Sequence, residues 1–482
     1  MNTYATIQKL PTGVKRLDTV LKGGLVRNDI HLVYGSPGTG KTILCHQICF
    51  HLIRSLNFRC IYLNLLTESP HEIITHMQPF SFYDTKAIPD SLFYLMAEGH
   101  IKSNGVMSLV ELIGETIQRR NAQLFIFEGI ENALFQAPSQ IDFIDLISKI
   151  RALTRIHSCT ILLTIKQQQP NPALTIVDSI LELSDTITGL RSVKQLTVHK
   201  TRGSGFLSGK HEVELTSDGL EIHPRTESIP VTSPRVYNRP RKRMALGVKE
   251  LDTMMDGGIL SGSNLAIMGM PGAGKTTLGL SFLVEGAKTG QEGIYLGYSE
   301  TPSQLMEKTD GLDMPLRYYV ERDMIHMMWQ SPQELILDST AERLIEFLNE
   351  RGNGEIRIFI DGIEGFNLAA VYSERLPLFF SALLGHLHNL NATSVISKNI
   401  SLFTPVERTE ETNFTEQMSE STILLRYLRN GAHMCRFLSI IKMRESWYQP
   451  NTKSFSISKG GFNICDIDEK TRDVMRRLRI HF

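Results

Sequence analysis

The chain has 482 residues, 41% hydrophobic and 21% charged, which is the make-up of folded globular domains and length enough for two or three of them. Lys and Arg number 51 and Asp and Glu 51, so no global charge steers the molecule toward nucleic acid. No apolar run reaches the ~18 residues of a membrane span, and "MNTYATIQKLPTG" has no signal-peptide pattern, so a cytoplasmic protein with no membrane association is expected.

In chain order, "DIHLVYG" reads as a short apolar strand. It enters the loop Gly35, Ser36, Pro37, Gly38, Thr39, Gly40, Lys41 and Thr42, which fits GxxxxGK[ST] and opens a helix. In such a loop backbone N–H groups curl around phosphate oxygens. The lysine reaches the terminal phosphates, and the Thr42 hydroxyl is placed to ligate Mg²⁺. "RCIYLNL" is the next strand, and its tip carries Thr67 and Glu68 before a Pro-led helix. "AQLFIFEG" and "CTILLTI" follow as strands, and the first ends at Glu128. The half closes on the strand-like pair "QLTVHKTRGS" and "HEVELTSDGLEIH", with Lys200 and Arg202 one residue apart.

The chain is then written a second time. "TGVKRLDTVLKGGLVRNDIHLVYGSPGTGKT" and "LGVKELDTMMDGGILSGSNLAIMGMPGAGKT" align at an offset of 234 residues (247−13, 252−18, 275−41). This is a tandem duplication of a whole domain. The second loop is Gly269, Met270, Pro271, Gly272, Ala273, Gly274, Lys275 and Thr276. "EGIYLGY" leads to Ser299, Glu300 and a helix opening at Pro302. "IRIFIDG" ends at Asp361, the position of an acid on the magnesium side, and Thr276 is the matching hydroxyl. In the first half Glu128 takes that place. It is one methylene longer, and both a metal-side role and none remain open for it. "RFLSIIKMRES" carries Lys442 and Arg444. Strands alternating with helices imply a mostly parallel sheet in each half, flanked by helices, with an antiparallel extension at one edge.

The expected division is a first domain over 1–224, a linker over 225–244, a second domain over 245–465 and a short C-terminal segment over 466–482. The linker holds the one dense basic run, from Arg239 to Arg243, without interleaved aromatics, and nucleic-acid binding is not expected of it. The six cysteines form no CxxC pair and read as reduced thiols.

Tandem P-loop halves, "GVxxLDxxxxGG" before each loop, a glutamate-x-Pro turn after the second strand and "KTRGS"/"KMRES" near each half's end resemble the KaiC family of RecA-type ATPases over nearly the whole chain. The resemblance implies ATP and Mg²⁺ as cofactors, a two-tiered homohexamer, slow ATP hydrolysis at subunit interfaces, and a KaiB-like or two-component signalling partner. It implies that Lys200, Arg202, Lys442 and Arg444 reach a neighbouring subunit's phosphates and that Glu68 and Glu300 orient the attacking water. Family members usually have two adjacent glutamates there; Thr67 and Ser299 replace the first of each pair. The family's phosphoacceptor positions hold Glu416 and Gln417, so a Ser/Thr autokinase activity is left open. The rival readings are a RecA/RadA-like DNA-acting ATPase and a scaffold that binds ATP without turnover.

Overall fold

The computed structural model describes residues 7–65, 69–136, 139–166, 176–231, 242–331, 336–352, 354–400, 418–430, 433–444 and 446–467. By its contacts the chain divides into two units, Met1–Ile229 and Pro230–Phe482. Among the described residues each unit is built on a nine-stranded sheet. Glu68, Glu416, Gln417 and the chain from 468 on lie outside the described residues.

In the first unit the strands run Gly219–His223, Lys210–Thr216, Arg191–Thr201, Ser179–Thr188, Ile30–Tyr34, Thr160–Ile165, Leu124–Glu128, Cys60–Asn64 and Leu92–Met96. The last six in that order are mutually parallel, and the first three form the antiparallel extension. The central strands are buried on both faces, and their period of two splits their side chains between two cores. Val33, Tyr62, Leu124 and Ile126 pack with the helix Lys41–Leu56. Ile61, Leu63, Phe125 and Phe127 point the other way, onto the helices Ser108–Arg120 and Gln140–Ile156.

The second unit repeats this plan. Its order is Ile325–Trp329, Gly293–Gly297, Ile356–Asp361, Ala392–Asn399, Asn264–Gly269, Ser421–Asn430, His433–Met443, Lys453–Ser458 and Gly461–Cys465. Leu265, Ile267, Tyr295 and Phe359 face the helix Lys275–Lys288. Ile294, Leu296, Ile358 and Ile360 face the helices Leu337–Arg351 and Leu376–Asn389.

The duplicated "GVxxLD" signature has a structural job. Asp18 accepts from the Thr12 backbone and hydroxyl, and Asp252 accepts from the Leu246 and Gly247 amides, so each aspartate fixes the turn that leads into its unit. The second glycine of each "GG" allows a close chain approach. A Cβ on Gly24 would sit 2.1 Å from the Leu10 carbonyl oxygen, and one on Gly258 2.2 Å from that of Met244.

The cysteines are free: Cys45, Cys49, Cys60 and Cys159 are buried, whereas Cys465 is exposed. In the basic run, Arg243 is engaged inside its unit, to Asp256 at 2.9 Å and to the Ser446 hydroxyl at 2.9 Å, and Lys242 pairs with Glu355. No helix among the described residues is long and apolar enough to cross a membrane.

Candidate nucleotide sites

Each P-loop leaves the carboxyl end of its unit's central strand, Ile30–Tyr34 or Asn264–Gly269. Gly40 and Gly274 cap the following helices with φ of 98° and 108°, a conformation that favours glycine, and so turn the first helical amides toward the loop. Lys41 is 5% exposed. Its ammonium donates to the Gly35 and Ser36 carbonyls at 2.7 Å each, and burial pulls it down to about 8. Lys275 donates to the Gly269 and Met270 carbonyls at 2.9 Å each, and burial lowers it too. Each loop is therefore folded around its own lysine, with the ammonium held where an anion would take over from carbonyl oxygens.

The acid that ends the strand Leu124–Glu128 or Ile356–Asp361 lies beside the loop threonine in both units; the edge strands Leu92–Met96 and Ile325–Trp329 make it the fourth strand of each main sheet in chain order. Asp361 accepts from Thr276 Oγ1 at 3.2 Å, from Ser397 Oγ at 2.7 Å and from Tyr295 OH at 3.3 Å. Burial pushes its carboxyl above the ordinary value, against those hydrogen bonds. Glu128 is 2% exposed, and accepts from Thr42 Oγ1 at 2.5 Å and from Tyr62 OH at 2.6 Å. The extra methylene drives the Glu128 carboxylate straight onto the threonine. Mg²⁺ keeps several waters and takes one or two protein oxygens besides substrate phosphates. Thr276 with Asp361 fits that demand. At Thr42 the hydroxyl already serves Glu128, and the other carboxylate oxygen serves Tyr62, so the first set fits only after rearrangement. Among the described residues no group of three or more His, Cys, Asp or Glu side chains is placed to hold a metal.

In the second unit a cavity of about 700 Å³ opens over the loop, with Lys275, Thr276, Glu300, Lys308, Asp361 and Arg436 among its lining. Glu300 follows the strand Gly293–Gly297 and lines this space. It is held there by Lys308, whose ammonium is 3.1 Å from each carboxylate oxygen. Ser299 lines the cavity too. Pro302 opens the helix Pro302–Asp310, and Thr301 caps it in a box with Gln304. Ser69, Pro70 and Glu72 build the same cap in the first unit.

The Lys-x-Arg pairs are not beside their own loops. Each follows a β-bulge, at Ile180/Leu181 opposite His199 and at Thr422/Ile423 opposite Ile441. Arg202 lies one residue past its strand's end. Its amide binds the Asp178 carbonyl, and Asp178 in turn bonds Ile30, the first residue of the central strand. The Arg444 amide binds the Glu420 carbonyl, and the Glu420 carboxylate bonds the Asn264 amide at 2.7 Å. Lys200 donates to the Val177 carbonyl at 2.8 Å, and Arg202 pairs with Asp178 at 3.6 Å. Lys442 is half-buried and Arg444 exposed.

Three sets of residues at these sites escape motif matching. Tyr62 and Tyr295 feed the acids. Thr164 and Ser397 sit on the strand between loop and acid and accept from the Gly129 and Gly362 amides at 3.3 and 2.7 Å. Glu364 accepts from the Asn399 amide at 2.6 Å, while its counterpart Glu131 is buried and raised by burial. All three recur at an offset of 233 residues (295−62, 397−164, 364−131), the offset of Glu128 and Asp361 (361−128), so the repeat itself is the signal that finds them.

Two parallel-centred sheets, each with a P-loop, an acid at a strand end beside the loop and an antiparallel edge, define a tandem RecA-like P-loop protein. A family model described as "ATPase: KaiC" matches residues 10–227 and 244–469. The chain belongs to the KaiC family of ATPases. It is similar to "Circadian clock oscillator protein KaiC" of Picosynechococcus sp., 24% identical over 477 residues that cover 95% of this chain and 90% of that protein. It is similar also to the protein of that name from Synechococcus elongatus, 22% identical with 96% and 90% covered. The Synechocystis sp. "Circadian clock oscillator protein KaiC 1" is 23% identical, with 95% and 89% covered.

Proposed function

We propose that this protein binds ATP with Mg²⁺ at its P-loops, assembles through them into a two-tiered homohexamer and hydrolyses ATP slowly at the subunit interfaces. The state of the ring would be read by a KaiB-like or two-component signalling partner. Lys41 and Lys275 would hold the terminal phosphates, Thr42 and Thr276 with Glu128 and Asp361 the metal side, and Glu300, with Glu68 in the first half, the water. Mg²⁺, when bound, supplies charge neutralisation at the phosphates.

One observation carries the reading: the position of the Lys-x-Arg pairs. Arg202 sits level with Ile30 and Arg444 level with Asn264, whereas the loops start at Gly35 and Gly269. Five residue steps of strand span about 16 Å, more than a side chain reaches. These arginines therefore do not reach their own loop. That supports a reading in which each site is completed by a second copy, in the manner of an arginine finger.

The test is assembly. Native mass spectrometry of the wild type should give a hexamer with Mg-ATP, and the double variant Lys41→Ala, Lys275→Ala should stay monomeric or nearly so. Full hexamers from the double variant would defeat the proposal.

A further inference from the structure

The second site contains a cation that no P-loop motif supplies. Lys308 is the seventh residue of the helix Pro302–Asp310, and its ammonium faces the same cavity as Lys275, Thr276 and Asp361. Its partner is Glu300, bound through both carboxylate oxygens at 3.1 Å. The two are fixed relative to each other, because Glu300 immediately precedes the Thr301 cap and the capping box ties that cap to the helix. The pair is only partly screened, with side-chain exposures of 39% and 37%. At the matching helix position the first unit has His76, which is exposed, so the device belongs to the second site.

We propose that Lys308 is a positioning residue that pairs with Glu300 and, when a nucleoside triphosphate binds, transfers its ammonium to the terminal phosphate, freeing Glu300 to orient water. This rests on the ATP reading above. The physical ground is charge. With Ser299 in place of a second acid, one ammonium balances one carboxylate. A triphosphate brings several negative charges into that space and competes for the ammonium, and the cation also screens Glu300 from the incoming phosphates. A diphosphate lacks the terminal group and leaves the Lys308–Glu300 pair closed. Lys308 thus reads the third phosphate.

The experiment measures binding without turnover, by calorimetry, in the full chain with Lys41→Ala silencing the first loop. The probes are ADP and a non-hydrolysable ATP analogue. Lys308→Met should weaken the analogue about tenfold, the size of one hydrogen bond to a charged group, and leave ADP within about twofold. Lys308→Arg should restore most of the preference. Glu300→Gln, which removes the competing carboxylate, should leave analogue binding equal or tighter. Equal losses for both nucleotides, or no loss for either, would overturn the assignment, as would a Glu300→Gln variant that binds the analogue as poorly as Lys308→Met. If the parent chain binds neither nucleotide, the ATP reading itself falls, and this inference falls with it.

Discussion

Replacing Asp361 with Asn separates what the second site does for the fold from what it does for the ligand. Among the described residues the carboxylate faces three hydroxyl donors and no cation at hydrogen-bond distance: Ser397 at 2.7 Å, Thr276 at 3.2 Å and Tyr295 at 3.3 Å. Burial raises its carboxyl above 3.8, so the folded protein holds that proton more tightly than the unfolded chain. The sign follows: stability linked to this group is present at low pH and lost as pH rises from about 3.8 through the folded value. Asn cannot ionise, and its neighbouring hydroxyls are rotors that can donate or accept. In the nucleotide-free protein Asp361→Asn should therefore change stability by no more than about 1 kcal/mol near neutral pH. Ligand linkage moves differently. At about 100-fold excess over Kd, binding stabilises by about 2.7 kcal/mol, roughly 5–11 °C for a unit of this size. The assay is thermal unfolding in the Lys41→Ala background, with ATP in Mg²⁺ or in EDTA. The parent should show that rise in Mg²⁺, and Asp361→Asn should lose most of it while its apo transition stays put. An Asp361→Asn protein with the full Mg²⁺-dependent rise would refute the metal-side role.

The mirror experiment, with Lys275→Ala silencing the second loop, should give a first site whose ATP-linked stabilisation changes less between Mg²⁺ and EDTA than the second site's, since the metal must first displace Glu128 from the Thr42 hydroxyl, which it holds at 2.5 Å; a Mg²⁺ response as large as the second site's would count against this. Incubation of the protein with Mg-ATP should not accumulate and then lose a doubly phosphorylated species, because Glu416 and Gln417 carry no hydroxyl and the nearby Ser419 and Thr422 are buried against each other at 3.1 Å. Intact-mass measurements over a day decide it.

Much of the fold was legible because the chain is written twice. The P-loops and the acids stand at nearly equal offsets, 234 (275−41) and 233 (361−128), and continuous apolar runs such as "LFIF" belong to strands buried on both faces. The edge strands Leu92–Met96 and Ile325–Trp329 were not legible. They are half-buried, so "LFYLM" and "IHMMW" show neither a clean alternation nor a fully apolar core. Ser179–Thr188 hides for another reason: it begins buried beside the central strand and ends exposed in a hairpin, so no single period describes it. At the sites, Tyr62 and Tyr295 look like core aromatics, and only the fold reveals that their hydroxyls end on carboxylates. Lys308 has no echo in the first half, and nothing in its spacing marks it. Its meaning comes from a helix folding back over a strand tip, which is tertiary geometry.

The two sites also indicate what a duplication preserves. In both, the acid that ends the strand Leu124–Glu128 or Ile356–Asp361 takes a hydroxyl from the loop threonine and another from a tyrosine one strand away, yet the acid is Glu128 in one and Asp361 in the other. The backbone places are equivalent, so the added methylene must be absorbed locally. It appears as a Thr–acid distance of 2.5 Å against 3.2 Å. The mouth of each site diverges further. Tyr427 donates to the Gly272 carbonyl at 2.5 Å, and Arg436 donates to the Tyr427 oxygen at 3.1 Å, which braces the second loop from the antiparallel edge. At the matching places in the first unit, Asp185 and Lys194 form an ion pair with each other instead. Strand register is fixed by burial on both faces, so side chains at the strand ends are free to change chemistry without moving the frame. That freedom lets one architecture hold two sites of unequal metal fit.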